Sequence, residues 1–145
     1  TLISGLICPS DPGSPKTSTY GGSGQGFHSN YAACAGEGLF NGTDTTPTFP
    51  NLNGTFVAGT KHKITSITDG SSNTAIFAEL IVSPDVTAHD ARGRIWNNTR
   101  AGAVIFSTGA TPNNDSVSDR LNHCQTLDRA PCTKGSDNQV TYARS

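Results

Sequence analysis

The sequence predicts a mainly β domain, built as a loop-rich antiparallel sheet, and three observations carry that prediction. Short apolar or alternating runs, rich in β-branched and aromatic residues, recur along the 145 residues. Clusters of Gly, Pro, Ser, Asn and Asp separate these runs. No stretch carries a sustained helical period, and no internal repeat is visible. At this length, residues 1–145 are read as a single domain large enough for its own core.

In chain order, residues 2–7 suit a short strand stopped by Pro9, Asp11, Pro12 and Gly13. Residues 13–26, GSPKTSTYGGSGQG, read as a flexible loop, 29–35 as a short buried strand, and 36–50 as a second loop rich in Thr and Pro. Residues 55–58 suit a strand leading into 64–82, ITSITDGSSNTAIFAELIV, the stretch around which the rest is arranged. There Asp69 and Gly70 make a D-G turn, with Gly70 expected at positive φ. Ser71, Ser72 and Asn73 have short side chains suited to bonding the backbone nearby, so the structural-turn set is Asp69, Gly70, Ser72, Asn73 and Glu79. Residues 74–82 run almost wholly apolar around the one acid, Glu79, and are read as a buried central strand. The competing assignment is a helix: Ala75, Ala78, Glu79 and Leu80 favour one, with the Ser/Asn cluster as its N-cap. Beyond it, 83–93 is polar connection, 94–97 a short strand with Trp96, and 103–107 a second apolar strand. Residues 109–119 form a loop, and 139–144 a closing alternating strand.

Composition excludes several function classes. Charged residues make up 14% of the chain, against roughly 25% in ordinary soluble domains. Net charge is −1, and Lys61 and Lys63 are the nearest approach to a basic cluster, so no nucleic-acid partner is expected. No apolar run reaches the roughly 18 residues of a membrane span. The chain has no Met, and Thr1 leads directly into LISGLICP, so it is expected to be a fragment or processed portion of something longer. Four cysteines without any C-x-x-C suit two disulfides better than zinc. Cys124 and Cys132 enclose a short loop containing Pro131; Cys8 precedes the CPSDPGSP turn and Cys34 follows the first strand candidate. Hence 124 is paired with 132 and 8 with 34, the alternative being that all four are reduced.

No catalytic constellation emerges, and an enzyme is not expected. His28, His62, His89 and His123 are available to a serine, but G-x-S-x-G is absent, Ser23 standing in GGSGQ. The loops GGSGQG and GEGLFNG match neither a dinucleotide fingerprint nor a P-loop, and no His pair has zincin spacing. No cofactor is called for beyond a weak calcium candidate, for which Asp69, Asn73 and Glu79, or Asp115 and Asp119, offer hard oxygen ligands without EF-hand spacing. Asn41, Asn53, Asn97 and Asn114 head glycosylation sequons, and NGTDTTPT suits O-linked sugars.

CPSDP at 8–12, NYA at 30–32, ITDGSSNTAIFAE at 67–79, RGRIW at 92–96, FSTGATPNN at 106–114 and the closing ARS together resemble a large family of secreted proteins with prepilin-type N-termini, best known from planctomycetes and of unassigned biochemical function. The resemblance spans nearly the whole chain, and ITDGSSNT…E is its most specific part. It implies a pilin-like or pseudopilin-like head, exported through type IV pilus or type II secretion machinery to the cell surface, the periplasm or the medium. Such proteins begin with a long apolar helix and end, after ARS, in a His-Pro-Gly-Gly stretch and an Asp-Gly motif. Neither occurs here, and the class becomes α+β if the helix is counted. Either a longer precursor carries them or another chain supplies them. The expected function is a structural or interaction subunit of an extracellular or envelope-associated assembly, its partners being other copies of itself or other subunits. The alternative is a secreted ligand- or glycan-binding module in which Tyr20, Tyr31, Trp96 or Tyr142 stacks on a sugar.

Overall fold

A computed structural model describes residues 1–20, 23–37, 40–41, 53–56, 60–95, 103–108, 118–121, 123–134 and 139–140. Trp96, Asn97, Asn114, Asp115 and Tyr142 lie outside the described residues. The fold is mainly β: β1 (Lys16–Tyr20), β2 (Ser23–His28), β3 (Tyr31–Cys34), β4 (Phe40–Asn41), β5 (Phe77–Glu79), β6 (Ile105–Phe106), β7 (Asp119–Leu121), β8 (Cys132–Lys134) and β9 (Gln139–Val140). Single 3-10 turns cover Ser4–Leu6 and Ile64–Ser66. No helix among the described residues is long and apolar enough to cross a membrane.

The strands form small sheets: β1-β2, β5-β3-β6, β4-β9 and β7-β8. Antiparallel pairing joins β1 to β2, β3 to β5 and β4 to β9, as the sequence predicts, while β3 pairs β6 and β7 pairs β8 in parallel, so the sheets are mixed. Residues 2–7 contain a 3-10 turn instead of a strand. The larger correction concerns 13–26, read as a loop, where β1 and β2 form an antiparallel hairpin. Its inward positions include Lys16, Ser18 and Gln25, all buried, so the alternation that marks a strand is present in burial but not in hydrophobicity. Nor is 74–82 a central strand. Only 77–79 is ladder, and β5 lies at the margin of its sheet, with β3 in the middle.

Among the described residues, Ala32, Cys34, Ala78, Leu80 and Phe106 form an apolar cluster on one face of the three-stranded sheet. Polar groups do much of the remaining joining. Asn30 precedes β3, fully buried, and uses its whole hydrogen-bonding capacity. Its Nδ2 donates to Asp11 Oδ2 at 2.5 Å and to Leu80 O at 3.0 Å. Its Oδ1 accepts from Cys8 N at 2.9 Å and from Ser14 Oγ at 2.5 Å. Asp11 Oδ2 also accepts Val82 N at 2.8 Å, while Oδ1 accepts Gly13 N at 2.9 Å. CPSDP, NYA and the end of the IFAELIV run, distant in sequence, are thereby tied at one point.

A second polar centre holds the RGR segment. Arg92 meets Asp90 at 2.6 Å, both side chains almost fully buried, and also donates to Ala130 O and Gln125 O. Burial alone would raise the Asp90 carboxyl, but the Arg92 guanidinium and backbone N–H donors outweigh it and hold it below its usual range. Gly93 adopts φ +70, and a Cβ there would lie 1.9 Å from Ser29 O, so only glycine lets this segment run against β2 and β3. Arg92 O accepts His28 Nδ1–H at 2.7 Å, which leaves Nε2 to accept the Ser18 hydroxyl at 2.7 Å. Burial pushes the His28 pKa down to about 4, the bond to Arg92 O offsetting this only in part.

Asn30→Ala leaves Asp11, Cys8 N and Leu80 O short of partners, and is expected to lower unfolding free energy by about 3 kcal/mol in urea titration, against under about 1 kcal/mol for the exposed Asn73→Ala. A pH effect follows from His28. An unfolded imidazole takes a proton from about pH 6.5 downward, whereas the folded one resists until about 4. Stability from this group is therefore complete above pH 6.5 and is lost as pH falls through that window, by about 3 kcal/mol. Urea midpoints from pH 7 to 4 should show this loss in the natural chain and a flatter profile in His28→Gln.

Candidate functional site

Strand alternation builds the most distinctive surface. Ala78 and Leu80 face the core, which sends Phe77, Glu79 and Ile81 outward, and Phe77 is 62% exposed. The backbone alternates too. Ile76 O accepts Cys34 N and Leu80 N donates to Asn30 O, so the N–H and C=O groups of Phe77 and Glu79 point away from β3. Beside this margin, unpaired among the described residues, Phe56 N donates to Cys34 O, placing the Phe56 ring against Phe77 with centroids 5.2 Å apart. Ile64, 78% exposed, adds to the same surface. Between them runs a groove of about 390 Å³, with Phe56, Ile64, Ile67 and Ile76 as its apolar lining and Asn53, Thr55, His62, Lys63, Thr68, Asp69 and Thr74 as its polar one.

The D-G turn forms one wall of this groove. Gly70 has φ +84, Asn73 N and Thr74 Oγ1 donate to Gly70 O at 3.0 and 3.1 Å, and Asn73 Nδ2 donates to Asp69 O at 3.3 Å. The Asp69 carboxylate accepts only the Thr68 hydroxyl among described contacts, at 3.4 Å, and Ser72 is exposed. Glu79 stands apart from the turn, on the outer face of β5. Of the calcium candidates, Asp69, Asn73 and Glu79 are exposed while Asp119 is buried on β7. Among the described residues no group of three or more His, Cys, Asp or Glu side chains is placed to hold a metal ion.

Cys124 and Cys132 are bridged, with Cα atoms 6.4 Å apart. The expected bridge between Cys8 and Cys34 is a correction: both are free, buried thiols. Cys8 is fixed by its amide on Asn30, whereas Cys34 packs in the apolar cluster, where burial pushes its thiol pKa up. Each serves as a small apolar side chain. Of the sequons, Asn53 is exposed at φ +60 and Asn41 lies on β4.

The remaining reactive groups are interior or dispersed. Ser18 and His28 touch, but both are buried and the third partner is a carbonyl instead of a carboxylate. His89 and His123 stack with centroids 3.9 Å apart, and His62 lies on the groove. Lys16 is buried and its Nζ has no hydrogen-bond partner among the described residues; burial lowers its pKa, with Asp90 opposing. Tyr31 is half-buried on β3. The aromatic that actually lines the groove, Phe56, was not singled out from sequence, because a lone Phe in NGTFVAG carries no periodic signal.

Neither a curated protein nor a solved structure matches this chain. A family described as a protein of unknown function, DUF1559, matches residues 1–144. With its matched region covering nearly every residue, the chain belongs to the DUF1559 family.

Proposed function

We propose that this chain is a non-enzymatic structural subunit of an extracellular or envelope-associated assembly, a pilin-like or pseudopilin-like head that works by presenting a docking surface. The observation that carries the proposal is the margin of β5, unpaired among the described residues, with Phe77, Phe56 and Ile64 exposed beside it, in a fold that buries Lys16, Arg92 and Asp90. Exposed aromatics at an unpaired strand margin favour association, since each new strand satisfies backbone groups and covers apolar surface together. The Cys124–Cys132 bridge supports an oxidising location, at the cell surface, in the periplasm or in the medium.

A second reading, a glycan-binding module, is favoured by one observation: the groove sets the Phe56 ring among hydroxyl and amide side chains. Electron microscopy of the native material separates the two. Filaments or multi-subunit complexes are expected; dispersed particles that bind a glycan array, and lose that binding in Phe56→Ala, would establish the second reading instead.

A further inference from the structure

We infer that the occupant of the β5 margin is a second copy of this chain, paired antiparallel through β5 about a two-fold axis at Phe77. The inference rests on the subunit reading above and names the partner for that same surface.

The backbone limits the choices. Only Phe77 and Glu79 present outward N–H and C=O groups on β5, so a symmetric antiparallel pair has its axis at 77, 78 or 79. An axis at 79 sets two Glu79 carboxylates directly opposite, which is repulsive. An axis at 78 sets each Phe77 ring against a Glu79 carboxylate. An axis at 77 sets the two Phe77 rings side by side, each already backed by Phe56 at 5.2 Å, and places Glu79 opposite the small Ala75. One acid thus rejects the wrong register, and one aromatic selects the right one.

Three of the usual protections against such pairing are missing at this margin, although β5 itself is short, at 3 residues. Strand edges are commonly blunted by Lys, Pro or a bulge. The segment IFAELIV, residues 76–82, has no Lys and no Pro, and the β3–β5 register runs without a shift. Charge points the same way. Lys63 and Asp69 both line the groove, so both signs occupy one surface, and Glu79 adds an acid on the outer face of β5. Such a surface is self-complementary across a two-fold axis, whereas a strongly acidic or basic partner finds no matching field. Pairing joins two β5-β3-β6 sheets edge to edge into one continuous sheet and covers Phe77 on both copies.

Sedimentation equilibrium on the purified chain is the test. A dimer with a dissociation constant of about 10 μM or tighter is expected, and Phe77→Lys should weaken it by about 100-fold. Because Phe77 is 62% exposed, the variant should keep the natural circular dichroism and melt. Register is read by cross-linking with a short bis-maleimide: Ala75→Cys mixed with Glu79→Cys should give a covalent dimer faster than Ala75→Cys mixed with Ile81→Cys, the pair set opposite with the axis at 78. Dimerisation untouched by Phe77→Lys, or faster linking of Ala75→Cys to Ile81→Cys than to Glu79→Cys, overturns the inference. A chain that stays monomeric yet occurs in native complexes with other subunits overturns the second copy as occupant while leaving the subunit reading standing. Monomers in both settings overturn both.

Discussion

The side chain of Asn30 is the constraint on which the rest depends. Four hydrogen bonds from one buried amide join the N-terminal turn, the entrance to β3 and the segment following β5. Beside the apolar cluster of Ala32, Cys34, Ala78, Leu80 and Phe106, these directional bonds fix position, which non-directional burial does not do by itself. Directional bonds also set register. Leu80 is held both by Asn30 O and by Asn30 Nδ2, and Val82 by Asp11, which leaves β5 one phase relative to the core. That phase sends Phe77 outward. The knot at one end of the strand therefore decides what the molecule displays at the other.

The same logic explains an inversion. Lys16, Asp90, Arg92 and Arg94 are buried, while Phe77, Ile64 and Phe56 are exposed. Charged interiors are expensive unless paired, and the Asp90–Arg92 pair, with Gln125 and Ala130 completing its hydrogen bonds, meets that condition. Exposed aromatics are costly in a monomer but useful in a subunit, where association removes them from water. Under the subunit reading proposed above, association is what offsets the inversion.

Legibility in the sequence followed hydrophobicity. The mainly β class, β3, β6 and the short Cys124–Cys132 loop were readable because each is marked by an apolar run or a local spacing. The β1-β2 hairpin was not, since its inward faces carry Lys16, Ser18 and Gln25, which look like loop residues when burial is unknown. Residues 74–82 misled in the opposite direction: an unbroken apolar run suggests burial on both faces, yet Phe77 and Ile81 face solvent. Cys8 and Cys34 had an even count in favour of a bridge, but the amide of Cys8 answers to Asn30 and the thiol of Cys34 to the apolar cluster. Of the candidate site, the D-G turn was visible in sequence; Phe56 and the outward phase of β5 arise only from tertiary pairing.

Hydrogen exchange at individual β5 amides, followed as protein concentration rises, tests the central claim most directly. The Ala78 and Leu80 amides, committed to β3 and Asn30, should be protected at every concentration. The Phe77 and Glu79 amides should exchange quickly in dilute solution and become protected as the chain associates. Protection of Phe77 and Glu79 in the dilute monomer, or fast exchange at these two amides in the assembled state, would contradict it.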